Sequence, residues 1–273
     1  MVLEGIINPT RATGHPWEMF FIGVLYSFVG LALGFWVFRA YVSVVMVAFT
    51  TIAAIPVVYG ATQSQHDAQS RGGFTLFKEH TKFVTMFTFL FLGFVVVFFG
   101  AYAFLPESTA GEIFKAQMEA IGAVNATPTG NFVTAWSTFM EILVSNMRVL
   151  FFCLVFSVFY GIGAIYILAW NASVMGAAIG NAFRQGISAG MGTYLDILSS
   201  SFIGYFAHGL PEMMAFFIGG LGGGILSVSI LKDGIHSPAF HRAGRDSFNL
   251  VAFAAFMLVL AGLIEVFVSP TLL

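Results

Sequence analysis

Apolar runs of membrane-crossing length recur along the chain, separated by short polar stretches. A spanning helix needs about 20 predominantly apolar residues, so the pattern predicts a series of spans. The first runs from Met19 to Phe38, with Trp17 as an interfacial anchor. Arg39 and Ala40 turn tightly into a second, Tyr41 to Tyr59, whose end Pro56 is expected to kink. A polar loop, Gly60 to Lys82, sets Arg71, Lys78 and Lys82 against Asp67 and Glu79, and a third span follows at Phe83 to Leu105. Residues 106–147 form the longest stretch without a span. Its charges are Glu107, Glu112, Lys115, Glu119 and Glu141, and Ser108 to Ile121 reads as a short surface helix capped by Ser108. The fourth span is read at Val149 to Trp170. Leu195 to Ala207 is apolar but broken by Asp196, Ser199, Ser200 and Ser201, so a fifth span is placed at 187–207, with a re-entrant hairpin as its rival. His208 to Pro211 reads as the start of a sixth helix running to Leu231, since proline suits a first turn. The basic loop Lys232 to Ser247 leads into a seventh span, Phe248 to Val268, closed by Ser269-Pro270.

Composition turns that pattern into a fold class. The chain is 58% hydrophobic and 9% charged, with 33 phenylalanines, where a soluble domain carries roughly 25% charged residues. A water-soluble surface cannot be assembled from this supply. The expectation is an all-α polytopic transmembrane bundle of about six or seven spans. It divides into a three-span region (1–105), an extracytoplasmic loop with a surface helix (106–147) and a membrane core (148–273). A net charge of −2 argues against a nucleic-acid partner. The single cysteine, Cys153, excludes an intramolecular disulfide framework and a cysteine-based zinc site. The first apolar run is too long for a cleaved signal and is expected to stay as an anchor.

Charge also orients the bundle. Loops 60–82 and 232–247 carry the Lys/Arg excess and are expected on the cytoplasmic face of a plasma-type cell membrane. They share a side only if 149–231 crosses three times, which is the main support for the fifth span. The amino terminus is then cytoplasmic and the carboxyl terminus outside. No internal repeat is evident, so the inverted repeats of secondary transporters find no support.

The candidate chemistry is concentrated at the head of the sixth span. An acid inside a hydrophobic run is costly without a partner, and Glu212 shares a helix face with His208, four residues before it. The readings are a proton-handling site, a metal ligand, a site for a partner's polar group, or a buried pair that fixes how spans pack. Glu265 either faces Glu212 or reaches the outer interface, the second being favoured by its position near the end of span seven. Asn146, before span four, and Asn171, after Trp170, can cap helix ends or bond across helices. Asp196 fits a helix cap better than a polar cavity. Gly219, Gly220, Gly222, Gly223 and Gly224 leave a nearly bare helix surface that invites close approach, and self-packing through it suggests a homodimer. Hydrolase chemistry finds little footing. His208 lacks a second histidine at metal-binding spacing, His236 and His241 fall on the opposite side, and nothing activates Ser201. No cofactor and no metal is expected. The sequon at Asn125 is followed by Pro128 and is weak.

Three stretches resemble the stage II sporulation protein M family of membrane proteins. They are Glu141 to Val149 with Asn146, Trp170-Asn171-Ala-Ser-Val-Met-Gly176, and His208-Gly-Leu-Pro-Glu212 followed by Ala215 and Gly219 to Gly224. Ala172 replaces a usual glycine, Ala207 a frequent proline, and Pro211 is an addition. Glu265 with Ser269-Pro270 resembles the family's closing motif, and the order agrees over about 132–273. The resemblance implies a non-enzymatic scaffold or assembly factor for membrane or envelope partners. The competing expectation is a transporter or channel with a polar path around Glu212 and His208.

Overall fold

A computed structural model of the chain describes residues 15–69, 73–125, 132–160 and 164–268. These residues are helical almost throughout. The elements are α1 (Glu18–Val37), a 3-10 turn (Arg39–Tyr41), α2 (Val42–Gln69), α3 (Gly73–Phe104), α4 (Glu107–Ile113), α5 (Lys115–Asn125), α6 (Phe132–Tyr160), α7 (Ala164–Ser188), α8 (Tyr194–Lys232) and α9 (Pro238–Phe267). Seven of them, α1, α2, α3, α6, α7, α8 and α9, are long and apolar enough to cross a membrane. The protein is an all-α polytopic membrane bundle.

The number of spans matches expectation, but two of them move. The apolar run Val149 to Trp170 is not one span. It is divided between α6, which ends at Tyr160, and α7, which begins at Ala164. Hydropathy runs unbroken across this junction, and only Gly161 and Gly163 mark it in the sequence. The segment 187–207 is therefore not a fifth span. It covers the end of α7, a turn and the first third of α8. The turn is a glycine device: Gly190 has φ 65° and closes α7. Thr193 then caps α8, its hydroxyl accepting from the Asp196 amide while the Asp196 carboxylate accepts from the Thr193 amide. Asp196 is thus a capping residue, and hydrogen bonding from Thr193 holds its carboxyl below the usual range. With its start fixed there, α8 is one helix of 39 residues, and His208 to Pro211 lie inside it rather than at its head.

Three crossings between 135 and 232 leave loops 2–3 and 6–7 at one end of the bundle. At that end His80 of α3 and Asp246 of α9 meet at 3.1 Å. At the other, Arg39 holds Glu112 through two hydrogen bonds of 2.8 and 3.0 Å. Burial is greatest in α8, α7 and α3, and α6 and α9 flank them at the rim. Ser247 ties α9 to α8, donating to the Gly222 carbonyl at 2.7 Å.

Segment 107–125 departs most from expectation. It is not a surface helix but a wedge of two short helices. Ile113 and Phe114 are buried, with Phe114 edge-on to Phe98 of α3, and α5 packs against α7 and α2. Gln117 is fully buried and its amide donates to the Ser43 carbonyl of α2 at 2.9 Å and the Ser173 hydroxyl of α7 at 3.1 Å. The opening residue is Glu107 after Pro106, not Ser108. The sequon beyond Asn125 and the closing Ser269-Pro270 lie outside the described residues.

The glycine face of α8 is consumed within the chain. A Cβ at Gly220 would meet Ala164 Cβ at 2.8 Å, and one at Gly223 would meet the Leu154 carbonyl at 2.7 Å. Gly219 abuts Leu150, Gly222 abuts Ser247, and Gly224 is buried. The homodimer expected from this surface loses its basis, because α6, α7 and α9 already occupy it.

Two outcomes follow. Gly223→Leu forces a side chain onto the α6 backbone and should destabilise the chain by about 3 kcal/mol or more, read as a lowered denaturation midpoint in detergent, with the particle mass unchanged. The Arg39 bond holds the Glu112 carboxyl below its ordinary range. That stabilisation is complete above the ordinary glutamate range and is lost as pH falls through the lowered value. Hydrogen exchange in α4 should therefore quicken only in strong acid, and Glu112→Gln should show the faster exchange at neutral pH.

Candidate functional site

The polar cluster is assembled by α6, α8 and α9. The helices α6 and α8 run parallel, both leaving the same end of the bundle. Their contact is a ladder: Leu150 on Gly219, then Leu154 and Ser157 on Gly223. Bare glycine positions let the backbones approach, and the same approach brings Asn146, one turn before Leu150, to the acid of α8. The Asn146 side-chain amide donates to Glu212 Oε1 at 2.5 Å. Glu212 stands near the head of its span, Gly209–Lys232, as the sequence reading put it, whereas Asn146 does not. Asn146 is an interior residue of α6, not a residue preceding a span, because the α6 span begins near Ala135.

Glu265 joins from α9. It is partly buried and close enough for its charge to bear on Glu212. Glu265 stands two residues from the end of its span and its charge also bears on Glu212, so both placements considered for it apply. Nearby, Gly262 packs on the Phe139 ring, where a Cβ would meet it at 3.2 Å, and the end of α9 lies against α6. The Asn146–Glu212 bond joins α6 to α8 in a polar seam with Glu265 on its α9 flank, and all three residues are half-buried.

The remaining candidates separate. Asn171 is an interior residue of α7 rather than one near a helix end, and its amide donates to the Ile167 carbonyl one turn back at 2.7 Å. It satisfies its own helix instead of serving the seam. His208 is on α8 one turn before Glu212, but its side chain lies outside the described residues. Pro211 lies inside α8 and leaves the Ala207 carbonyl without its helical donor. Among the described residues, no group of three His, Cys, Asp or Glu side chains converges as a metal site would require.

Sequence reasoning missed two polar anchors. Gln117 was hidden in what read as a solvated acidic loop. Arg184 of α7 donates to the Leu105 carbonyl just after α3, and its guanidinium lies 5.6 Å from the Tyr102 ring. A basic group at a helix end is a recognisable signal, but α3 and α7 had to be paired first.

The profile of the family described as stage II sporulation protein M matches residues 23–270. The chain belongs to that family. The match reaches back through α1 to α3, which the motif resemblance over 132–273 did not include. No curated protein and no solved structure matches the chain.

The seam is testable as a unit. Removing Asn146 with Leu leaves the carboxyl without this donor, and should cost about 1–2 kcal/mol. Glu212→Leu should cost a similar amount, and the double variant should fall short of the sum by most of one single effect. Reversible unfolding in mixed micelles measures all three; strict additivity would separate the two residues.

Proposed function

We propose that the chain is a non-enzymatic membrane scaffold or assembly factor that holds membrane or envelope proteins. The observation that carries this reading is that Asn146, Glu212 and Gln117 spend their polar groups on bonds between helices. Asn146 donates to Glu212, the glycines beneath them seat α6 and α9, and Gln117 bridges α2 and α7. Each is an interhelical fastening of the kind that fixes packing in a bilayer. Family membership supports the same reading, since the sporulation member is a scaffold and not itself a hydrolase. The Lys/Arg excess of the loops at 60–82 and 232–247 supports a cell membrane with the amino terminus inside. Dimerisation belongs to this reading only through a surface other than the α8 glycines.

One observation favours a transport path as the second reading: Glu212, Asn146 and Glu265 are half-buried, so the seam is not sealed. Against it stands a cavity between Val58, Phe83, Ser157, Leu168 and Phe217, which holds about 20 Å³ and does not include the three seam residues. That is room for roughly one water.

Reconstitution decides between them. Proteoliposomes loaded with a pH dye, under a proton or sodium gradient, should show no flux above that of empty vesicles, and Glu212→Gln should change only stability. A pH-dependent flux abolished by Glu212→Gln would replace the scaffold reading with transport.

A further inference from the structure

We propose that the outward face of α6 docks a membrane-spanning helix of another protein, through a carboxylate placed opposite Arg148. This rests on the scaffold reading and names the chemistry of its partner.

The helix α6 is the least covered span: 17% of its window is buried, against 72% for α8. Its exposed stripe runs through Glu141, Ser145, Arg148, Phe152, Phe156 and Phe159. The spacing of three and four places all six on one face. Phenylalanines facing lipid are ordinary. The polar half of the stripe is not. Arg148 lies thirteen residues after Ala135 and eleven before Phe159, about 20 and 16 Å along the axis at roughly 1.5 Å per residue. It therefore sits deep in a hydrocarbon layer about 30 Å thick, where an uncompensated charge is costly. Helical side chains lean toward the amino end, but the distance to that end exceeds the length of an arginine side chain.

The chain's own acids do not compensate it. Among the described residues Arg148 and Glu141 have no hydrogen bond and no ion pair. Arg148 is two positions beyond Asn146, about 200° around the helix, so Arg148 points away from the Glu212 seam. A second copy does not supply the counter-charge either. Parallel copies related by a two-fold axis along the membrane normal set Arg148 against Arg148 and Glu141 against Glu141. Lipid headgroups lie at the bilayer surface, not at this depth. What fits is a foreign helix with a Glu or Asp level with Arg148, a small or hydroxyl residue by Ser145, and a basic or donor group two turns outward by Glu141.

The test uses dye-labelled full-length chain in phosphatidylcholine vesicles and acceptor-labelled leucine-based peptides of about 20 residues. Each peptide carries one central Glu, Gln, Lys or Leu, and energy transfer reports binding at about pH 8. The wild-type chain should bind the Glu peptide about tenfold tighter than the Gln and Leu peptides and should reject the Lys peptide. Arg148→Gln should erase the preference, and Arg148→Glu should transfer it to the Lys peptide, which also shows that the variant is folded. Equal binding of Glu, Gln and Leu peptides by the wild type would overturn the proposal. So would cross-linking between copies through Val144→Cys in a Cys153→Ser background. Either result leaves the liposome flux measurement untouched, so failure of this face and failure of the scaffold reading are told apart.

Discussion

A carboxyl group placed among membrane helices is costly without a hydrogen-bond partner, and another helix can supply one. In this chain that requirement falls on Glu212, and Asn146 meets it at 2.5 Å. The rest of the later bundle follows from making the meeting possible. An amide on α6 reaches an acid on α8 only if the two backbones run close, and close approach requires positions without side chains. Gly219, Gly220 and Gly223 provide them. The polar pair and the glycines that read as two separate features in the sequence are one construction.

This explains which parts were legible in the sequence. The membrane class and the number of crossings followed from long apolar runs, a signal that survives any local error. Asp196 was legible as a cap from its place among small polar residues, although its partner Thr193 was not read. The division of 149–170 was not legible, because hydropathy stays high from Tyr160 to Ala164, where one helix ends and the next begins. That error displaced every assignment up to residue 207, and it put Asn146 and Asn171 at helix ends when both are interior. A parity argument protected the total but not the segments.

The site was legible as a set of residues and less so as a geometry. Glu212 stood out because acids are rare in such runs, and Asn146 was drawn in through its motif. Their partnership was not readable, since nothing in a single chain relates positions 66 apart. The glycine surface shows the same limit from the other side. Small residues announce that something packs closely, but not whether the neighbour is the same chain or a copy. Here it is the same chain.

The wedge formed by α4 and α5 has a bearing on how the protein is made. Gln117 rests on Ser43, already synthesised when it emerges, and on Ser173, which is 56 residues further along. The ribosome therefore delivers the wedge before its seat exists. Helices α1 to α3 can associate at once, but the connector that follows them must wait, polar side chain unsatisfied on one side, until α7 has entered the bilayer. Final closure of the bundle is thereby tied to the arrival of its fifth span, so a nascent chain halted before that point cannot bury this glutamine in its native seat.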